Sequence, residues 1–400
     1  MSAPTAESAT TREANGSVYQ TAGAALLGRH TSSAPLLREM DGLRVLPLLL
    51  VIGLHYMHRL CIIAPGGLLP NPDNTLLMAV MQKGDFGVQI FFTISGFVLG
   101  LPFARQFLLA GRPVEPGRFY LRRIVRIQGP LLINLVIHVA VLGLVLHKYP
   151  LSELMAQFLP TWGCWYQTST GQLSLINPVA WSLEPEMQFC LLMPLICRVF
   201  DIGSLALRRG VLALAVLLPP FWKAGLNPAL LPAQIEYFVM GLLLADCHLT
   251  SWSRPEPVNG GAWTWRGLAG FAGMSGLLAL RHDHQLFTDL AMPWVLFLGM
   301  GGVLNSPLWK GIFAHPVLAT VGGWCYTIYL YHILIIYGTL TLLFKVVPLA
   351  GLHPAFWTYL PVCLASVVIA CAILYVLTER PFIELASKLA KRGKGRSPAS

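Results

Sequence analysis

The sequence predicts an all-α, polytopic integral membrane protein with about ten transmembrane helices and cytoplasmic N- and C-termini. Three observations carry that expectation. Of the 400 residues, 55% are hydrophobic and 12% charged, against about 25% charged in a soluble domain. Apolar runs near the ~20 residues that a bilayer crossing needs recur along the chain. Basic residues are dense in every second connection between those runs, the asymmetry that orients helices in a membrane.

The elements follow in order. Residues 1–37, rich in Ser, Thr, Ala and Gly, read as a disordered cytoplasmic tail. No apolar core with a cleavage site precedes Arg38, so this is not a signal peptide and the first helix reads as an uncleaved anchor. Crossings are expected at 44–63, 86–106, 127–147, 178–198, 208–224, 231–249, 263–281, 286–304, 317–341 and 355–377. They make one transmembrane domain over 38–385, followed by a basic cytoplasmic tail at 386–400. With the N-terminus inside, Arg59, Lys83, Lys148, Lys223, Arg281 and Lys345 fall outside and the remaining 22 of the 28 Lys and Arg fall inside. That split fits ten crossings with both ends cytoplasmic, and a plasma (inner) membrane location.

Composition also excludes. The net charge of +10 is spread between apolar segments and not drawn into a basic stripe with interleaved aromatics, so nucleic acid is not an expected partner. The eight cysteines contain no C-x-x-C pair and no metal-ligand spacing, and no metal is expected. Most of them lie in apolar runs, where a thiol packs as a small hydrophobe. Cys61 and Cys164 would both face outward and are the pair that could meet. His282-Asp283-His284 has no third anchor and is not read as a metal site. No internal repeat stands out, so the inverted-repeat signature of many transporters is missing. The stretch 148–177 (with TWGCWYQTSTGQLSLINP) lies outside; its Trp, Gln, Thr and Ser suit sugar rings and a membrane-interface belt equally.

Polar groups inside the apolar runs are the functional signal, because a bilayer penalises them. Arg44 and His55 stand eleven residues apart on the first crossing, roughly 16 Å of rise and within about 20° of one helix face. Arg118, Arg122 and Arg126 are spaced i, i+4, i+8 at the cytoplasmic mouth of the third crossing, with Arg123 beside them. Such a row suits a polyphosphate; equally it is a topology anchor beside anionic lipid. The fourth crossing opens with Trp181, Ser182, Glu184, Pro185, Glu186 and Gln188. Glu186 falls at nearly the depth of His55 and is expected to orient that ring or share its proton; the structural alternative is an interhelix hydrogen bond. Tyr329 and His332 are i, i+3 neighbours on the ninth crossing. Ser95-Gly96 and Gly100 read as packing positions.

These stretches together resemble the acyltransferase 3 family of membrane acyltransferases over roughly 38–385. DGLRVLPLLLVIGLHY is similar to its first helix, with Arg44 and His55 in the arginine–ten residues–histidine pattern. GVQIFFTISGFVLG, RRIVRI, WSLEPEMQF, GGWCYTIYLYH and TERPF resemble its later signatures in family order. The resemblance implies transfer of an acyl group, commonly acetyl, from cytoplasmic acyl-CoA to a hydroxyl of a glycan, a lipid-linked saccharide or a small metabolite. It makes His55 the general base, Glu186 its candidate partner, and Arg122, Arg123 and Arg126 candidates for the CoA phosphates, with Arg44 drawing in the donor's charged end. Tyr329, His332, Trp181 and Ser182 are then oxyanion or substrate candidates. The resemblance implies no permanently held cofactor; acyl-CoA, expected in its acetyl form, is a donor substrate, and membrane lipid is the other partner.

The sequence departs from the family at Met187, Cys190 and Cys325, and at Glu184-Pro185, where a buried charge and a kink are expected on the acceptor side. A proton-coupled transporter or flippase would use the same polar groove, and histidine with glutamate at mid-depth suits it too. A purely structural membrane component leaves so many buried polar groups unexplained.

Overall fold

A computed structural model describes residues 37–63, 80–252, 260–280, 285–349 and 352–392. Among these residues regular structure is helical throughout. The 1–36 part of the N-terminal tail, His282-Asp283-His284 and the tail beyond 392 lie outside them.

The first crossing is broken in two, α1 (Arg38–Leu43) and α2 (Val45–Ile63), with Arg44 at the break. Pro47 accounts for it: a proline ring excludes the carbonyl four residues back, here that of Leu43. α1 is held by close backbone contact, since a Cβ on Gly42 would collide with the Phe313 carbonyl and one on Gly322 with the Asp41 carbonyl. A 3-10 turn, Gly84–Phe86, leads into α3 (Gly87–Leu108). α4 (Pro116–Val139) ends in the π-turn Ala140–Val145. It starts eleven residues before the expected crossing, so the arginine cluster is inside the helix and not ahead of it.

The 148–177 stretch folds into α5 (Leu151–Trp162) and the short α6 (Tyr166–Thr170). Its polar side chains turn inward: Gln157, Thr161, Gln167, Ser174 and Asn177 are all buried. Gln157 accepts from Leu175 N at 2.8 Å, and Thr161 donates to Ser174 at 2.9 Å. The groups that suited sugar rings are thus largely consumed within the stretch itself. Cys164 and Cys61 are both free thiols. Desolvation, the largest influence, pushes the Cys164 thiol up to about 12.

Next come α7 (Leu183–Ile196), α8 (Leu205–Leu217) and α9 (Ile235–Cys247). Arg208 and Arg209 on α8 both pair with the fully buried Asp246 of α9. α9 lies directly against α3, where Gly96 and Gly241 each leave room for the other helix's backbone. α10 (Gly260–Leu280) and α11 (Gln285–Asn305) pack the same way through Gly267, Gly270, Gly299 and Gly302. The chain closes with α12 (Pro307–Phe313), α13 (Pro316–Gly323), α14 (Cys325–Val346), α15 (Leu352–Leu374) and α16 (Arg380–Arg392). Glu379, fully buried between α15 and α16, accepts from Thr327 N at 3.1 Å and so caps the start of α14.

Among the described residues, six helical segments are long and apolar enough to cross a membrane: Arg38–Ile63, Gly84–Leu108, Pro116–Val145, Gln285–Asn305, Cys325–Val346 and Pro354–Leu389. The other four expected crossings also fold as helices. α7, α8 and α9 have 14, 13 and 13 residues, about 20 Å each at 1.5 Å per residue, and α7 is extended at both ends by 3-10 turns, Pro178–Ser182 and Cys197–Asp201. α10 has the length, but its glycines and Arg266 dilute its hydropathy.

Candidate active site

The site is assembled where α2, α3, α4, α7 and α14 meet. α7 is delivered to it by asparagines. Asn177 and Asn134 are fully buried; Asn177 donates to Asn134 Oδ1 at 2.8 Å and to the Leu330 carbonyl at 3.0 Å, and Asn134 donates to the same carbonyl at 3.1 Å. Buried amides need such partners, and here they tie the start of the Pro178–Ser182 turn to α4 and α14. Just beyond, the Ser182 and Tyr329 hydroxyls lie 2.7 Å apart, and each reaches the Val179 carbonyl at 3.2 Å.

Glu184 does not face this site. Its two carboxylate oxygens accept from Gln167 N and Thr168 N, both at 2.8 Å, and anchor α6. Pro185 does not kink the helix, contrary to the sequence expectation. It sits in the first turn of α7, where no backbone donor is required of it. Gln188 is likewise structural, accepting from Leu231 N at 2.8 Å and donating to the Ala229 carbonyl at 2.9 Å.

Glu186 faces inward and forms an ion pair with Arg123 of α4, while Ser95 Oγ donates to it at 3.1 Å. Arg44, at the α1–α2 break, pairs with Asp41. Between these groups lies a cavity of about 110 Å³ lined by Arg44, Arg123, Arg126, Ser182, Glu186 and Tyr329 together with apolar side chains of α3. Three guanidiniums, those of Arg44, Arg123 and Arg126, thus line it beside the Glu186 carboxylate. It therefore gathers six residues that the sequence singled out. Arg122 and Trp181, both half-buried, do not line it. The cavity face of α4 carries Arg123, Arg126 and Ile127, not the Arg118–Arg122–Arg126 row; Arg118 instead pairs with Glu115 at 3.0 Å.

His55 does not line the cavity either, and Glu186 is not its neighbour. The expected His55–Glu186 pairing gives way to Glu186–Arg123, because a guanidinium level with a carboxylate in a low-dielectric interior is the stronger partner. His55 packs instead on His332, ring centroids 5.0 Å apart, and His332 packs on Tyr329 at 5.9 Å. Tyr329 in turn meets Phe91 edge-on at 6.0 Å. The order from the cavity outward is therefore Tyr329, His332, His55. His332 Nδ1 faces the Tyr329 and Ile328 carbonyls at 2.8 and 3.2 Å. Carbonyls only accept, so Nδ1 carries the hydrogen and Nε2 of the neutral ring is an acceptor. That geometry suits Tyr329, and not neutral His332, as a donor to an oxyanion.

Among curated proteins and among solved structures, no match to the chain was found. The family model of the acyltransferase 3 domain, described as an acyltransferase domain, matches residues 37–376. The chain belongs to the acyltransferase 3 family. The match covers every helix that builds the cavity, so the membrane acyltransferase domain and the site coincide.

Three site features of this acyltransferase escaped the sequence reading. Ser95, beside Gly96 at a position the sequence marks for packing, holds Glu186 through its hydroxyl. Asp41 neutralises Arg44. Asn134 sits in an apolar run, where a lone amide signals a buried hydrogen bond but names no partner. Apart from this site, a second and larger cavity of about 590 Å³ opens between the start of α3, the segment before α9 and α11. Lys223 stands in it, 2.6 Å from Glu236 and 3.2 Å from Asp289.

Proposed function

We propose that this protein is a membrane O-acyltransferase that moves an acyl group, most simply acetyl, from cytoplasmic acyl-CoA to a hydroxyl of a glycan, lipid-linked saccharide or small-metabolite acceptor. In this reading the chain crosses the plasma (inner) membrane ten times with both termini inside. The observation that carries it is the arginine-lined cavity bounded by Arg44, Arg123 and Arg126 and closed by the Ser182–Tyr329 hydroxyl pair, within a family acyltransferase domain. A cavity of about 110 Å³ suits the small acyl end of such a donor. The arginines supply forked donors to the donor's phosphates and charged end.

In the proposed reaction His55 takes the proton of the acceptor hydroxyl as its oxygen attacks the thioester carbonyl. The oxyanion accepts from Tyr329. The C–S bond then breaks, the ester C–O bond remains, and the thiolate leaves with the proton carried by His55. No covalent acyl-enzyme is required.

The test is acyl transfer from labelled acetyl-CoA in membranes carrying wild-type protein or His55→Ala at matched expression. Label entering a carbohydrate fraction only with wild type supports the reading and delivers the acceptor. Equal labelling with the variant removes His55 as base. No transfer from any of several acyl-CoAs, and no binding of them, favours a transporter.

A further inference from the structure

We propose that the second cavity, across α3 from the arginine-lined one, is a binding site for an uncharged polyhydroxylated ligand of the saccharide class. Such binding requires no acyl transfer and is independent of the role of His55. The cavity has a volume of about 590 Å³, inside the roughly 300–1,000 Å³ of small-molecule sites. The start of α3, the segment 220–237 and the start of α11 build its wall. The two cavities take different faces of α3: Gln89 lines this one, whereas Val88, Phe91, Phe92 and Ser95 line the other. In the proposed crossing order Lys223 lies on the outer side, so the ligand is drawn from that side.

The charges of the wall leave nothing over for an ion. Among its described residues the ionised side chains are Lys223 and Asp289, and they pair with each other at 3.2 Å. The fully buried Glu236 holds Lys223 from behind at 2.6 Å, and Gln285 Nε2 donates to the second Asp289 oxygen at 3.0 Å. A phosphate therefore meets no spare cation on this wall and an ammonium no spare carboxylate, and burying either without a partner is costly.

Uncharged groups make up the rest of the polar lining, the amides of Gln89, Gln234 and Gln285 and the hydroxyl of Thr288. An amide donates from its nitrogen and accepts at its oxygen, which matches a hydroxyl that does both. Gln234 Oε1 has no hydrogen-bond partner within the protein, so this amide can turn to a ligand without giving up a bond at that oxygen. Phe86 and Tyr237, edge-on at 6.0 Å, and the largely exposed Phe221 add aromatic surface. Rings of this kind carry the apolar face of a sugar while amides take its hydroxyls.

The test is ligand binding by the full-length protein in lipid nanodiscs free of maltoside detergent. Saturation-transfer NMR is recorded with maltose, cellobiose, choline and inorganic phosphate as separate probes. A disaccharide should bind saturably with Kd at or below about 10 mM; failure of both disaccharides to do so overturns the inference. Ala224 is exposed and lines the cavity, so Ala224→Trp fills space without removing a hydrogen bond. Disaccharide affinity should fall at least about 10-fold in this variant, with the unfolding temperature unchanged. Gln285→Leu removes one wall amide, leaves Lys223 paired with Asp289, and should weaken binding about 3- to 10-fold, the worth of one hydrogen bond; it decides the matter if Ala224→Trp does not fold. Unchanged disaccharide binding in folded variants places the sugar elsewhere and overturns the inference. So does binding of choline or phosphate, in place of either disaccharide, that Ala224→Trp abolishes, since the cavity is then an ion site. No readout here uses acyl transfer, so a protein that turns over no acyl-CoA leaves the test intact.

Discussion

Glu186→Ala is the perturbation that most directly tests how the cavity is held together. The Glu186 and Arg123 side chains retain 18% and 17% of their exposure, and Ser95 adds a hydrogen bond at 3.1 Å. Removing one member of a buried pair costs ~3–5 kcal/mol, because the other charge is left uncompensated. The residual exposure of both groups places this pair at the lower end, about 3 kcal/mol. The measurement is thermal unfolding in detergent with a thiol-reactive dye, alongside acyl transfer. Arg123→Met combined with Glu186→Met leaves no unpaired charge, so most of the lost stability should return, while donor binding stays lost with the guanidinium. A double variant as unstable as Glu186→Ala would refute the ion-pair argument. So would a fully stable Glu186→Gln that loses only kcat, which is the outcome expected if Glu186 acted on His55 instead.

Two further outcomes follow from packing and burial. Gly322→Ala places a methyl group against the Asp41 carbonyl, and overpacking of this kind costs about 1–3 kcal/mol; because Asp41 carries Arg44, the KM for acyl donor should rise as the unfolding temperature falls, whereas Gly338→Ala, with open space around it, should change neither. Cys164, pushed up to about 12 by burial, has about one part in 10,000 as thiolate at pH 8, so peptide mapping after iodoacetamide should find it unmodified in the folded protein and modified after denaturation; rapid alkylation in the native state would contradict its burial.

Much of this was legible from residue type and spacing. Arg44, Arg123, Arg126, Ser182, Glu186 and Tyr329 stood out as polar groups in apolar runs, and the fold brings them to one cavity. Depth along helices was a poorer guide. Counting residues put Glu186 level with His55, but depth carries no azimuth between helices, and the guanidinium of Arg123 took the carboxylate. Helical spacing failed on α4 for a related reason. Arg118, Arg122 and Arg126 do share a face, yet the face that packs toward α7 is set by the Glu186 contact and carries Arg123. Pro47 was visible in the sequence, and its effect, the break at Arg44, follows from ring sterics alone. Asn134 and Asn177 were not predictable as a pair, because two amides 43 residues apart acquire meaning only when both meet the Leu330 carbonyl.

The arrangement separates charge from proton transfer. Arg44, Arg123 and Arg126 line the cavity, and His55 stands beyond it, behind Tyr329 and His332. A polyphosphate cannot follow an acyl group into a space of about 110 Å³, and the hydrocarbon layer would oppose its charge at any greater depth. Under the proposed function the donor's phosphates therefore stay at the mouth of the cavity, with the lining guanidiniums facing them, and only the small, uncharged thioester end advances to Tyr329. The acceptor hydroxyl then has to meet it from the His55 side, where that histidine is half-buried rather than sealed. Donor and acceptor would share one carbonyl carbon without sharing a binding surface. This predicts that His55→Ala abolishes transfer while leaving acyl-CoA affinity intact, and that Arg126→Ala weakens acyl-CoA binding while leaving the His55–His332 contact undisturbed. Equilibrium binding of acyl-CoA to the two variants measures both; a His55→Ala protein that no longer binds donor would mean that the two sites are one.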